Sequence, residues 1–234
     1  DGRTSPVPVL VNLFGTGERV AMGLGVRPDE LDALGESLAW LRQPEAPNGF
    51  RDALRRWPLL RAALATRSVG ARSAPAQEVV LQGDQLDLTA LPIQTCWPGE
   101  PAPLITWPLV VTAPPGDLAP ARLNVGVYRL QVLGRDRLIV RWLANRGGAR
   151  HHALWRAKRE TMPVAIAIGA DPALMLSAAM PMPEAMSELA FSGLLRGRST
   201  RVSRGITVPL PVPADAEFVI EGTVAPDETA PEGP

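Results

Sequence analysis

The sequence predicts a mixed α and β (α+β) chain. Short β-type runs recur along most of its length. Helical spacing of apolar residues is confined to a few stretches near the start and between Gly148 and Leu195. The chain also carries 25 Pro and 21 Gly in 234 residues. That density of chain breakers favours many loops and short strands over a helical bundle.

The elements follow in order. Val7–Phe14 is an apolar run that suits a buried strand, broken by Gly15-Thr16-Gly17, and Val20–Leu24 reads as a second short strand. Asp29-Glu30 opens a helix with Leu31, Leu34, Leu38 and Leu41 on one face, and its acidic first turn suits the positive helix end. Phe50–Thr66 is a second helix candidate, split or started by Pro58. Ser68–Gln77 is loop-like, and Val79–Leu81 and Leu86–Leu88 read as strands around Gly83-Asp84. Pro103–Thr112 is a strong strand that Pro114-Pro115-Gly116 connects to a partner beginning at Val125.

Asn124 to Ala149 is the most informative stretch. Two β-type runs, Val125–Val132 and Leu138–Leu143, flank a turn at Gly134-Arg135-Asp136, and the second empties into Gly147-Gly148. Alternation puts Arg129 and Arg141 on strands and Arg146 at a loop mouth. Guanidinium forks pair bidentately with oxyanions, so three arginines beside a Gly-Gly loop can grip a phosphate-like group. An exposed hairpin with solvated arginines fits the same spacing equally well.

Beyond it, His151–Arg159 reads as a helix whose two histidines are solvated helix-start residues. Side chains at adjacent helical positions diverge by about 100°, so the pair cannot easily share a metal. Met162–Gly169 is an apolar strand. Asp171-Pro172 caps a helix, Pro183–Leu195 is another, and Arg201–Ile206 and Phe218–Val224 close the chain as strands. Position alone lets Glu188 face solvent from its mostly apolar helix.

Composition excludes several classes. Lys+Arg and Asp+Glu are both 24, so there is no basic excess for nucleic acid. No apolar run reaches the roughly 18 residues that argue a membrane span. A single cysteine, Cys96, rules out an intramolecular disulfide and fits a reducing, cytoplasmic compartment. With no histidine at a recognisable spacing, Cys96 reads as a buried hydrophobe rather than a nucleophile. There is no G-x-G-x-x-G after a strand, no P-loop lysine and no H-E-x-x-H. The chain lacks a starting Met and a signal peptide and reads as a fragment. Residues alone therefore lead to an α+β domain with an arginine-lined anion site.

A family resemblance goes further. VNLFGTGERVAMGLG, PIQTCWPGE, APLITWPLVVT, LNVGVYRLQVLG, LIVRWLANRGGA, VAIAIGADPA, MPEAMSELAFSGLLRG and the closing EFVIEG…APEGP are spread in order along nearly the whole chain. In these the sequence resembles the UbiD decarboxylases, and among them the 3-polyprenyl-4-hydroxybenzoate carboxy-lyases of ubiquinone biosynthesis. The resemblance implies prenylated FMN held with a divalent metal, usually Mn2+, and a monovalent cation, K+, at the phosphate. It implies Asn124 and Glu188 as metal ligands. Cofactor contacts would come from Val127, Tyr128, Arg129, Arg141, Trp142, Leu143, Arg146 and Gly147. Arg129 and Glu232 would be catalytic members of an Arg-Glu-acid network whose third acid lies beyond Pro234, as does a C-terminal domain. The implied reaction is non-oxidative decarboxylation. The cofactor carries the hard step, Arg129 holds the substrate carboxylate, and Glu232 orients Arg129 and relays protons.

One departure stands out. Where the family commonly has a third metal ligand, a histidine two residues before Gly147, this chain has Asn145. Amide oxygen ligates a metal more weakly than imidazole in most N/O sites. Neither His151 nor His152 matches the motif. The resemblance implies a small α/β part over residues 1–75. Residues 76–234 would form a split β-barrel, flavin-reductase-like, with helices of 150–195 packed on it. It further implies a flavin prenyltransferase as cofactor supplier, homo-oligomers, and peripheral work at the inner membrane face on a polyprenylated substrate. The alternatives are a non-catalytic or truncated flavin-binding module of the same family, or an unrelated reductase-like barrel.

Overall fold

The computed structural model describes residues 5, 7–42, 64–180 and 186–232, with the side chains of 40–42 left aside. The elements run α1 (Gly17–Leu24), α2 (Leu31–Arg42), β1 (Val69–Gly70), β2 (Leu104–Ile105), β3 (Leu109–Thr112), β4 (Asn124–Val127), β5 (Leu130–Val132) and β6 (Leu138–Val140). They continue with α3 (Gly147–Lys158), β7 (Met162–Ile168), α4 (Pro172–Ala179), α5 (Glu188–Arg196), β8 (Arg201–Arg204), β9 (Pro211–Pro213) and β10 (Phe218–Val224).

The centre is a four-stranded antiparallel sheet in the order β10-β7-β3-β4. Period-2 alternation decides its packing. Leu109, Val111, Ala165 and Ala167 point to one face, where Leu174 of α4 and Leu189 of α5 cover them. Val110, Val164 and Ile166 point to the other, against Tyr128 and Leu130 and, at the edge, Trp155 of α3. All four residues of β3, a central strand, are buried, so that strand is covered on both faces. Two three-stranded sheets flank it, β2-β5-β6 and β1-β8-β9.

The two long apolar runs pair with each other, as expected, but each is broken in the middle. Leu109–Thr112 pairs with Asn124–Val127 in the central sheet. Leu104 and Ile105 pair with Gln131 and Leu130 in a different sheet. Between the two ladders lie Thr106-Trp107-Pro108 on one run and Tyr128-Arg129 on the other. Pro108 has no N–H to give a ladder, and the unequal loop of three residues against two bends the pair from sheet to sheet. The structure therefore corrects the placement of Arg129 and Arg141: Arg129 sits in the bend, and Arg141 follows the end of β6. Among the described residues the three sheets do not close into one barrel, so the expected split barrel is not formed as a closed element.

Other expectations change near the start. Val7–Phe14 is not a strand, and Val9, Leu10 and Val11 are exposed. Residues 20–24 belong to helix α1. The Thr16 hydroxyl accepts from the Arg19 N–H at 3.2 Å and Gly25, at φ +74°, ends the helix in the left-handed conformation. The cap and terminator outweigh the strand-like Val-Ala-Met run. Helix α2 forms as expected, entered through a Glu30 carboxylate that accepts the Arg27 N–H. The helix expected over Phe50–Thr66 lies outside the described residues except for a single 3-10 turn at Leu64–Thr66. Val79–Leu81 and Leu86–Leu88 form no strands. Gly83–Gln85 and Leu88–Ala90 are 3-10 turns instead. Of the helix expected from Pro183, the part described begins at Glu188, capped by Ser187. The strand expected over Arg201–Ile206 ends at Arg204, and β9 was unforeseen because Pro211 and Pro213 flank its single Val.

Candidate active site

The bend between β4 and β5, the start of α3 and the start of α5 surround a cleft of about 670 Å³. Asn124 enters it from β4 and Glu188 from the first turn of α5. The Glu188 Oε2 accepts the Val125 N–H at 3.2 Å, which ties the carboxylate to the residue beside Asn124. Burial pushes the Glu188 carboxyl above its ordinary range, against the smaller opposing effect of hydrogen bonds from backbone N–H groups. A largely desolvated carboxylate beside a carboxamide presents oxygen donors and favours a bound cation that would restore its charged form.

The glycine pair is not a loop, as expected from spacing, but the first turn of α3. Arg146 is its N-cap and supplies no side-chain cap. The glycines are required by contact. A Cβ on Gly147 would lie 2.0 Å from Asn124 Oδ1, and one on Gly148 would lie 2.4 Å from the Trp142 ring. The helix N-terminus adds its partial positive charge to Arg129, Arg141, Arg146 and Arg150 along the cleft. Arg150, one turn beyond Arg146, was legible as an i,i+4 partner but was missed. Trp107 and Met180 were missed as well, since nothing local distinguishes them from packing residues.

Val127, Leu143 and Asn145 also line the cleft. Trp142 does not. It packs edge-on against Tyr128 with ring centroids 4.9 Å apart, and its buried indole N–H has no hydrogen-bond partner among the described residues. Tyr128 is buried, and its hydroxyl accepts the Gly148 N–H at 2.8 Å.

Glu232 is brought to Arg129 from far along the chain. Arg129 Nε and Nη2 donate to its Oε1 at 2.9 and 2.5 Å, and Arg141 Nη1 lies 3.7 Å from its Oε2. The segment after β10 is fastened on its way there. The Ala225 carbonyl meets His152 Nε2 at 3.1 Å, Asp227 pairs with Arg156, and Glu228 with Arg137. These contacts correct the reading of the histidines as solvated. His151 bonds the buried Thr112 hydroxyl at 2.9 Å, and burial, then the Arg122 and Arg150 charges, push its imidazole toward the neutral form. Both rings are committed elsewhere and neither reaches the cleft. Cys96 is exposed rather than buried, and its N–H donates to the Glu100 carboxylate.

The donor set fits a hard cation beside a phosphate. Asn124 and Glu188 supply oxygens, exposed Asn145 lies on the same cleft, and Gly147 leaves room for the Asn124 oxygen. Among the described residues no group of three or more His, Cys, Asp or Glu side chains is placed to hold a metal ion. Among the described residues, too, no helix is long and apolar enough to cross a membrane.

Comparison with known proteins identifies relatives of the chain. The family model for the UbiD 3-octaprenyl-4-hydroxybenzoate carboxy-lyase Rift-related domain matches residues 67–234. The vanillic acid decarboxylase of Sedimentibacter hydroxybenzoicus in closed form is similar at 27% identity and TM-score 0.77, over 95% of this chain and 44% of that one. The 3,4-dihydroxybenzoic acid decarboxylase of Klebsiella pneumoniae gives 29% and 0.72, over 94% and 42%. The UbiD-class enzyme HmfF of Pelotomaculum thermopropionicum, solved with FMN, gives 27% and 0.74, over 94% and 44%. An evolved dimeric form of the same enzyme was solved with prenylated FMN. The chain thus spans less than half the length of these relatives.

Proposed function

The chain belongs to the UbiD carboxy-lyase family, and on that premise we propose that its cleft is the cofactor site of a decarboxylase that uses prenylated FMN with Mn2+ and K+. One observation carries the reading. Asn124, Glu188, the start of α3 and Arg129 with its Glu232 partner meet around a single cleft. Asn124 and Glu188 would hold the divalent ion, with Asn145 in reserve. Arg146 and the positive start of α3, apart from the Gly148 N–H that Tyr128 accepts, would hold the phosphate. When bound, the flavin supplies the electron sink for loss of carbon dioxide.

This chain's own groups do the rest. Arg129 presents a guanidinium that binds a substrate carboxylate, and Glu232, accepting two of its N–H groups, sets the direction of that fork. The Glu232 carboxylate also lies where a proton can be held or passed beside Arg129. We assign the substrate as a hydroxylated aromatic acid. The 3-polyprenyl-4-hydroxybenzoate of ubiquinone biosynthesis is one member, and the acids named for the vanillic and 3,4-dihydroxybenzoic relatives are others. A flavin prenyltransferase would supply the cofactor, and residues 76–234 would form the cofactor-binding domain. Asn145 in the histidine's place favours a second reading, a flavin-binding module of the family without turnover.

The test is co-expression with a flavin prenyltransferase, followed by an absorption spectrum and metal analysis. A flavin-like spectrum with equimolar manganese, both lost in Asn124→Ala, is expected. A folded, colourless and metal-free wild-type protein would overturn the assignment.

A further inference from the structure

Tyr128 is enclosed in a way that a residue contacting cofactor through its side chain would not require. Its ring occupies a slot made by two glycines. A Cβ on Gly126 would lie 2.6 Å from the ring, and one on Gly148 3.0 Å from it. Trp142 closes the slot edge-on. The ring is 6% exposed, so what it offers to its surroundings is one hydroxyl. That oxygen accepts the Gly148 N–H at 2.8 Å and, at 3.4 Å, a long hydrogen bond from Asn124 Nδ2.

A primary amide has a donor end and an acceptor end. If its nitrogen is held on Tyr128, its oxygen must face the other way. Here that direction is Gly147 at the start of α3, where Oδ1 lies closer than any added Cβ would tolerate. A flipped carboxamide would turn its N–H2 toward the positive helix end and would need the Tyr128 hydroxyl to donate rather than accept, so the start of α3 is what disfavours the flip.

We propose that Tyr128 is a positioning residue: its hydroxyl, fastened by the Gly148 N–H, orients the Asn124 carboxamide so that the oxygen faces the cation site. The inference rests on the reading of Asn124 as a cation ligand. Its geometric half concerns the chain alone.

Two measurements test it. The chain has four asparagines, Asn12, Asn48, Asn124 and Asn145, so selective 15N-asparagine labelling resolves the side-chain amides. The Asn124 amide protons are expected to exchange with water more slowly than those of exposed Asn145 in the wild type, and to lose that protection in Tyr128→Phe. Phe keeps the ring in its slot, so the fold is retained. Equal exchange of Asn124 and Asn145 in the wild type would overturn the proposal without any variant.

The second measurement is Mn2+ titration followed by electron paramagnetic resonance. Tyr128→Phe is expected to weaken manganese binding by about 10–100-fold, the usual cost of losing a group that orients a ligand. Asn124→Ala should abolish it. If wild type binds and Asn124→Ala does not, unchanged affinity in Tyr128→Phe sinks this inference and leaves the site intact. If the wild type binds no manganese, the cation-site reading and this inference fall together, whatever the amide exchange shows.

Discussion

Replacing Gly147 with alanine isolates the approach of Asn124 to helix α3. The added Cβ would stand 2.0 Å from Asn124 Oδ1 and 2.6 Å from its Cγ. Ordinary contact begins at 3.4 Å, so the oxygen must retreat by 3.4 − 2.0 = 1.4 Å. The Asn124 Cβ, at 3.1 Å, need give only slightly, but the carboxamide atoms at 2.0 and 2.6 Å must rotate out of place. An off-rotamer Asn124 costs about 0.5–1.5 kcal/mol. Alanine in place of glycine at a helical position returns at most about 1 kcal/mol. The two nearly cancel, and a shift of about 1 kcal/mol or less moves the midpoint by roughly 2–4 °C in a chain of this size. At the proposed cation site manganese affinity, by contrast, should fall by about tenfold or more, since the displacement far exceeds the ~0.2 Å tolerance of metal–ligand distances. Thermal unfolding followed by circular dichroism and Mn2+ titration would be run on the same preparation. Wild-type manganese affinity in Gly147→Ala would refute the argument that this glycine exists to admit Asn124.

Glu188 and Glu221 respond to pH in opposite directions. Burial raises the Glu188 pKa, so the folded state holds its proton to higher pH than the unfolded chain does. Without a cation, stability then falls as pH rises from the ordinary carboxylate range through the raised value. Glu188→Gln should flatten that decline and raise the midpoint of the metal-free chain at neutral pH. A lower midpoint would contradict it. For Glu221, burial pushes the pKa up, but hydrogen bonds from the Thr207 hydroxyl and from the N–H groups of Thr207, Ile206 and Val208 outweigh it and hold the carboxyl low. Its stabilisation is present above the ordinary carboxylate range and is lost as pH falls through the lowered value. Glu221→Ala removes the acceptor of donors that are mostly exposed and should destabilise by about 0.5–1.5 kcal/mol in denaturant unfolding. A change under 0.5 kcal/mol, the usual size at an unimportant surface position, would show that water replaces the carboxylate.

The sequence by itself determined what depends on neighbours along the chain. The continuous apolar run Met162–Gly169 predicted β7, the Asp171-Pro172 cap predicted α4, and the Gly134-Arg135-Asp136 turn predicted the β5–β6 hairpin. Its order of motifs also pointed to the family that the comparisons identify. Thr16 and Gly25 could have revealed α1, had the cap been weighed above the apolar run. The tertiary structure alone decided matters that depend on distant partners. Strand propensity could not say that one apolar run serves two sheets, because the bend arises where Trp107-Pro108 meets Tyr128-Arg129 from another segment. Nor could it show that Glu232 reaches Arg129 across 103 positions, or that His151 and His152 are held by Thr112 and Ala225. Glu188 is the clearest case. On its helix it is an ordinary first-turn acid, and it becomes a desolvated carboxylate beside Asn124 because α5 packs its start against β4. Burial and charge belong to the assembled surroundings of a side chain, which spacing along the sequence does not encode.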